Sequence, residues 1–274
     1  MDLDGIGIST LRARVESWEC DFNNHWNARF YARSFQMAAE RVATLGGAAN
    51  PGAAVVGMRH MRFHRELFVG AAVEVRSARI AAGPFEGAVL HLLRGESGLS
   101  ATALDLPGTG AANLPAIAPE AARLAFPRVA EAPVSREPGA HEAEVGPVRP
   151  AELDHTGALL ADEIGRRVGY GLHALLSDLG FTRAFEAEHG IGRMAVETRV
   201  TRTGEAGAGA LLRVHSRITS VGRKSFATRH FLGTDGGAPV AEVAHSLVAV
   251  DLAARRAVAV PDFLARLRPP PGEG

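Results

Sequence analysis

The 274-residue sequence predicts an α+β chain built twice from the same parts. Three observations carry this prediction. A long amphipathic helical run is followed by strand-like runs joined by tight turns. The same order of elements returns in the second half. Each copy also opens on an acid-x-Asp pattern, Glu19-Cys20-Asp21 in the first and Glu152-Leu153-Asp154 in the second. From that Asp to the Leu-Gly at the helix end is 24 residues in the first copy (Asp21 to Leu45) and 25 in the second (Asp154 to Leu179).

Taken in order, residues 1–10 read as a loose lead-in and Leu11–Trp18 as a strand. A helix is expected from about Asn27 to Leu45, ended by Gly46-Gly47, because glycine enters the left-handed conformation of a helix stop without a Cβ penalty. Strands follow over Val55–Glu66, Ala72–Ala81, Gly87–Arg94 and Leu99–Leu106, with turns at Gly83-Pro84 and Gly95–Gly98. Val73–Ile80 alternates in part, as a sheet with one buried face requires. Residues 107–147 carry prolines at 107, 115, 119, 127, 133, 138 and 147 and read as a linker with one short helix, Pro119–Phe126. A second helix is expected over Asp162–Leu179, stopped by Gly180. Strands then follow at Arg193–Thr201, Ala210–Ser220, Lys224–Gly233 and Pro239–Leu252. Val75-Arg-Ser-Ala-Arg-Ile80 has a near match in Val214-His-Ser-Arg-Ile218. The expected organisation is an N-terminal unit (1–106), a Pro-rich linker (107–147), a C-terminal unit (148–267) and a disordered tail (268–274).

Composition excludes some functions. Lys and Arg total 30, as do Asp and Glu, so the formal net charge is zero, which argues against a nucleic-acid partner. No apolar run reaches membrane-spanning length and the N-terminus lacks a basic signal-peptide start, so a cytoplasmic protein with no membrane partner is expected. Cys20 is the sole cysteine, which rules out an internal disulfide and a Cys-rich metal site. No His-x-x-x-His on a helix and no carboxylate cluster calls for a metal. Glu19 and Asp21 flank Cys20 and raise its pKa, which points to burial rather than reactivity. Gly108-Thr-Gly110 lacks the lysine of a phosphate loop. Arg223-Lys224 either meets a phosphate or forms a turn beside Gly222.

The chemistry concentrates in the loop between the first strand and the first helix. Asp21 sits near the positive end of the helix dipole, where free backbone N–H groups can polarise a carbonyl. It is the candidate nucleophile or general base, and its alternative job is a helix cap. His25 and Asn27 would orient the attacking water or the substrate, and N–H groups from Asn24 to Asn27 would hold an oxyanion. The spacing Asp-x-x-x-His-x-Asn-x-x-x-Tyr, at Asp21, His25, Asn27 and Tyr31, resembles the hot-dog thioesterases of the 4-hydroxybenzoyl-CoA and acyl-ACP thioesterase type. Ala28 replaces the family's second asparagine, and Asn24 the glycine often found before the histidine.

The resemblance implies a double hot-dog fold, each half a long central helix wrapped by an antiparallel sheet, with sites at the interface between halves. It implies hydrolysis of an acyl-CoA or acyl-ACP thioester, with no cofactor because the thioester itself supplies the free energy. It leaves further assembly into a homo-oligomer open. In the second copy, Asp154-His155-Thr156-Gly157 keeps the family's Asp-x-x-Gly spacing, and Gly157 would let a substrate carbonyl approach the backbone. Ala158 and Leu160 stand where His25 and Asn27 stand in the first copy. Asp154 either works alone or belongs to a decayed site. His60 and His64 share a strand face and either line the groove between halves, with His60 touching substrate, or mark an edge strand. Met37, Val42, Leu45, Leu172, Leu175 and Leu176 either wall an acyl chain or form plain core. Two other functions fit the same fold. One is a hydratase or dehydratase of 3-hydroxyacyl thioesters, faintly matched by Asp21-Phe-Asn-Asn-His25 but without that class's proline. The other is a non-catalytic acyl-thioester-binding protein.

Overall fold

A computed structural model describes residues 5–21, 24–128 and 141–268. The first half contains β1 (Ile8–Arg14), α1 (Ala28–Leu45), β2 (Met58–Phe63), β3 (Ala72–Ile80), β4 (Val89–Gly95) and β5 (Gly98–Leu106). A short β6 (Ala116–Ile117) and α2 (Pro119–Ala122) follow. The second half contains β7 (His141–Pro147), α3 (Ala161–Asp178), α4 (Arg183–His189), β8 (Ile191–Arg202), β9 (Leu211–Val221), β10 (Ser225–Thr234) and β11 (Pro239–Asp251). The described chain ends on β12 (Arg256–Ala257) and α5 (Asp262–Ala265).

The strands form one sheet in the order β1-β3-β4-β5-β2-β8-β11-β10-β9-β7, with β6 added on β3 and β12 on β11. Read outward from the centre, each half has the same order. β2 and β8 join the halves in antiparallel register, from Met58 opposite Thr201 to Arg62 opposite Glu197. Helices α1 and α3 pack against each other on one face of this sheet. The result is the double hot-dog architecture.

Both helices are 18 residues long and follow the expected spans to within a residue. α1 buries Phe30, Tyr31, Ser34, Phe35, Ala38, Ala39 and Val42, the spacing of one helical face. Gly47 (φ +97°) and Gly180 (φ +106°) provide the left-handed stops. Gly171 is required by packing, since a Cβ there would lie 2.3 Å from Val214 Cγ1. Phe35 is fully buried in the first core, while Ile164, Val168 and Leu159 fill the second.

Several element assignments differ from the sequence reading, among them the unexpected short elements β6, β12 and α5. The first strand spans Ile8–Arg14 rather than Leu11–Trp18, and Ser17–Glu19 forms a short 3-10 turn. His141–Pro147, which its composition placed in the linker, forms β7 and pairs with β9 as β1 pairs with β3. Arg183–His189 is a helix that periodicity did not show, because seven residues give too short a window. Part of the expected linker (129–140) and nearly all of the expected tail (269–274) lie outside the described residues, as do residues 1–4 of the lead-in.

A buried polar chain ties α1 to the sheet. Arg59 donates to both oxygens of Asp105 (2.7 and 2.6 Å) and to the α1 carbonyls of Ala32 (3.3 Å) and Phe35 (3.1 Å). His91 Nε2 lies 3.0 Å from Asp105 Oδ2, and its Nδ1 lies 2.7 Å from Ser77 Oγ. Burial alone would raise the Asp105 carboxyl, but Arg59 and His91 hold it down to about 2. The second half repeats the positions with neutral groups. Ser216 Oγ is 2.8 Å from His230 Nδ1, and Thr198 Oγ1 is 2.9 Å from His245 Nδ1. Burial pushes His245 down to about 4, and burial with His245 alongside pushes His230 well below the ordinary imidazole value. Removing one partner of a buried pair strands the other charge. Asp105→Ala is therefore expected to lose about 3–5 kcal/mol in urea unfolding at pH 7. Because the folded-state pKa is depressed, the difference from wild type should be full above about pH 4 and fade as pH falls through about 2.

Candidate active site

The Asp21 loop closes on itself. Asp21 N–H donates to the His25 carbonyl (2.8 Å), Asn24 N–H to the Asp21 carbonyl (2.9 Å), and His25 N–H to Asp21 Oδ1 (3.1 Å). Cys20 and Trp26 form a β-bridge at its base. The turn puts Asn24 at φ +62°, a conformation asparagine tolerates better than most residues. Asp21 therefore caps its own turn. The cap of α1 is Asn27, whose Oδ1 accepts the Arg29 N–H at 3.1 Å.

Glu19, the first acid of the motif, is structural. It accepts the Trp26 indole N–H (2.9 Å) and the Glu16 N–H (3.2 Å). The expected oxyanion donors are largely committed elsewhere: Asn24 and His25 bond to Asp21, Trp26 N–H to Leu67 (2.7 Å), and Asn27 N–H to Glu19 (2.9 Å). Ala28 opens α1, and a helix's first N–H has no acceptor inside the helix.

The second copy has the same backbone. Asp154 N–H donates to Ala158, Gly157 N–H to Asp154, and Leu153 bridges Leu159. Gly157 (φ +86°) occupies the place of Asn24. Glu152, like Glu19, serves structure by accepting the Arg149 N–H (2.8 Å) and Arg167 (2.5 Å). The surroundings of the two aspartates differ. Asp154 Oδ1 accepts from Thr156 N–H (2.7 Å), Thr156 Oγ1 (2.7 Å) and Ala158 N–H (3.0 Å), and Oδ2 accepts from Ala53 N–H of the first half. Burial would raise this carboxyl, but the hydrogen bonds led by Thr156 lower it to about 2. Gly52 presses on the same loop, since a Cβ there would lie 2.4 Å from Asp154 Oδ2.

Asp21 instead lines a groove of about 1490 Å³ between the halves. The first half contributes His25, Asn27, Ala28, Tyr31 and residues 63–71, and the second contributes faces of α3, α4 and β8. His25 Nδ1 lies 3.2 Å from Glu66 Oε1, and its ring meets Phe68 edge-on at 5.1 Å. The other Glu66 oxygen pairs with Arg255, from the turn after β11. A proton on His25 Nδ1 held by Glu66 leaves the Nε2 lone pair as an acceptor. Glu66 and Arg255 have no signal in the sequence, because only the fold brings them to His25.

Three positions expected at the site lie apart from the groove lining: Asn24, Gly157 and Asp154, all spent on loop closure. His60 does too. It is 3 % exposed, 3.5 Å from Glu197, on β2 at the seam rather than on an edge strand. His64 does line the groove, held down to about 4 first by burial and then by Arg62 and Arg128. Of the six residues weighed as an acyl wall, only Leu172 faces the groove; Met37 is exposed, and Val42 and Leu176 are core. Asp154→Ala should lower Tm at pH 7, with the deficit shrinking as pH falls through about 2, where wild-type Asp154 is protonated. Gly52→Ala should lower Tm too, by forcing the Asp154 loop outward.

Residues 148–267 match the family model described as the thioesterase-like superfamily. No curated protein matches the chain. Among solved structures, one assigned as an oleoyl thioesterase of Lactobacillus plantarum superposes with a TM-score of 0.62 at 14% identity, covering 89% of this chain and 97% of its own. An acyl-ACP thioesterase of Bacteroides thetaiotaomicron gives 0.56 at 12% identity, over 86% and 96%. The 12:0-ACP thioesterase of Umbellularia californica gives 0.55 at 14% identity, over 87% and 93%. These likenesses speak for the fold. Among the described residues, no helix is long and apolar enough to cross a membrane. The family match is thus carried by the second half, residues 148–267, and the double hot-dog fold by the whole length of the chain.

Proposed function

We propose that this protein hydrolyses acyl thioesters of coenzyme A or acyl carrier protein at one working site, built on Asp21. The observation that supports this reading is the contrast between two loops of one design. The Asp21 loop opens on a large groove, while the Asp154 loop is closed by Gly52 and Ala53. An open groove beside Asp21, with the helix capped by Asn27 instead, disfavours the purely binding reading. In this reading Asn24, Gly157, Asp154 and His60 are structural.

Asp21 acts on the thioester carbonyl, either directly or by taking a proton from water. In the water route, Asp21 accepts the proton as the new C–O bond forms. His25 Nε2, set by Glu66, accepts a hydrogen bond from the same water and aims it. The Asn27 side-chain amide and the Ala28 N–H stabilise the oxyanion. Collapse breaks the C–S bond, and the thiolate takes the proton back from Asp21.

Thiol release from a panel of acyl-CoA and acyl-ACP substrates tests this. Asp21→Ala is expected to lose about 10²- to 10⁴-fold in kcat with the fold intact. Asp154→Ala should keep wild-type kcat despite its lower stability. Glu66→Gln should lose roughly 10- to 100-fold through misplacement of His25, mostly in kcat. Equal partial losses in Asp21→Ala and Asp154→Ala would mean two working sites. No hydrolysis of any thioester by the wild type would refute the assignment.

A further inference from the structure

One helical position separates the two Asp loops as sharply as the loops themselves. In the second copy the first N–H of α3, that of Ala161, is already occupied. Gln36 of α1 reaches across the contact between the helices and accepts it on Oε1 at 2.7 Å. Gln36 Nε2 donates to Glu40 Oε1 at 2.7 Å, which fixes the amide with its oxygen toward α3. Gln36 is 4 % exposed, so this plug is part of the core. The offset that relates Asp21 to Asp154 and Ala28 to Ala161 also relates Gln36 to Gly169. Gly169 on α3 therefore stands to the Ala28 N–H as Gln36 stands to that of Ala161, but it has no side chain with which to reach it.

Packing does not ask for glycine there. Glycine in a helix interior is less stable than alanine or glutamine, because it loses more backbone freedom on folding. A Cβ on Gly171 would strike Val214, but a Cβ on Gly169 would meet nothing within 4 Å among the described residues. Gly165 lies one turn earlier on the same face. A Cβ there would be 3.6 Å from Arg29 Cβ, so this face of α3 is turned to the first turn of α1. Gly169 lines the groove together with Asp21, Asn27 and Ala28. Asn27, the cap of α1, accepts from Arg29 and leaves the N–H of Ala28.

We infer that Gly169 is the residue that keeps the Asp21 site open. Its missing side chain leaves the Ala28 N–H to the carbonyl oxygen of an acyl thioester, whereas Gln36 denies the Ala161 N–H to one. The inference rests on the groove being an acyl-thioester site, but its test does not need turnover. The probe is a ketone analogue of decanoyl phosphopantetheine, with a methylene between sulfur and carbonyl so that no thioester bond can be cleaved. Calorimetry on the full chain should show Gly169→Gln binding it about tenfold more weakly than wild type. Gly169→Ala, which adds a methyl group but no amide, should stay within about threefold of wild type. Both variants should raise Tm through better helix propensity. Exchange of the Ala28 amide hydrogen, read by NMR, should slow about tenfold in Gly169→Gln and stay as wild type in Gly169→Ala. Wild-type affinity or unchanged Ala28 exchange in Gly169→Gln, an equal loss of affinity in both variants, or no binding by the wild type overturns the inference. A lower Tm for Gly169→Ala overturns it too, since packing would then need the glycine, and so does a Gly169→Gln chain that fails to fold. Probe binding that Gly169→Gln weakens, without thiol release from any thioester by the wild type, would uphold the role of Gly169 and refute the hydrolase assignment.

Discussion

The pairing of β2 with β8 is the constraint from which the rest of the structure follows. Each half alone would leave one of these strands as an open edge, a row of unpaired backbone groups. Joining them makes one continuous sheet and buries the Arg62–Glu197 pair (3.3 Å) at the seam. The register also sets α1 beside α3, where Arg33 reaches the buried Asp162 at 2.5 Å. Each Asp loop is thereby presented to the opposite half, and what that half supplies decides what the loop can do.

The halves supply different things. After α1 the chain takes a short apolar turn, and Gly52–Ala53 of that turn reaches the Asp154 loop. After α3 the chain inserts α4 before β8, and this helix forms one wall of a groove beside the Asp21 loop. In the proposed reading, duplicated backbone therefore does not mean duplicated chemistry. A carboxylate with its oxygens taken by Thr156, Ala158 and Ala53, and its pKa near 2, is a weak base and a shielded nucleophile. Through the Ala53 N–H, Asp154 also links the second half to the first.

Much of the fold was legible in the sequence because it rests on local signals. Helix length, glycine stops and alternation located α1, α3 and the eight main strands of the two meanders. β7 was missed because Gly146 and Pro147 resemble linker, and its strand character comes from pairing with β9. The site was legible only where it is local. Asp21, His25 and Asn27 do lie on one loop at the groove, as their spacing suggests. The acid-x-Asp repeat was a true sign of duplication, but its first acid, Glu19 or Glu152, holds a turn in place. Glu66 and Arg255 arrive from opposite halves, and no spacing encodes their meeting.

The two buried polar chains show how the helices are held. Arg59 opposite Asp105 in the first half occupies the place of Thr198 opposite His245 in the second, and Ser77–His91 that of Ser216–His230. The charged version lies in the half with the open loop, and Arg59 binds two carbonyls of α1 directly. α3 is held differently, through Arg167, which donates to the β7 carbonyls of Gly146 (3.0 Å) and Pro147 (2.8 Å) and to Glu152. In both halves a buried guanidinium converts a sliding helix–sheet contact into a fixed one. For α1 this matters to the proposed reaction, in which Asn27 and Ala28 of its first turn would hold the oxyanion at the groove. Oxyanion donors are effective only when they stay put as charge develops, and a helix pinned from below by Arg59 meets that condition without any contribution from substrate.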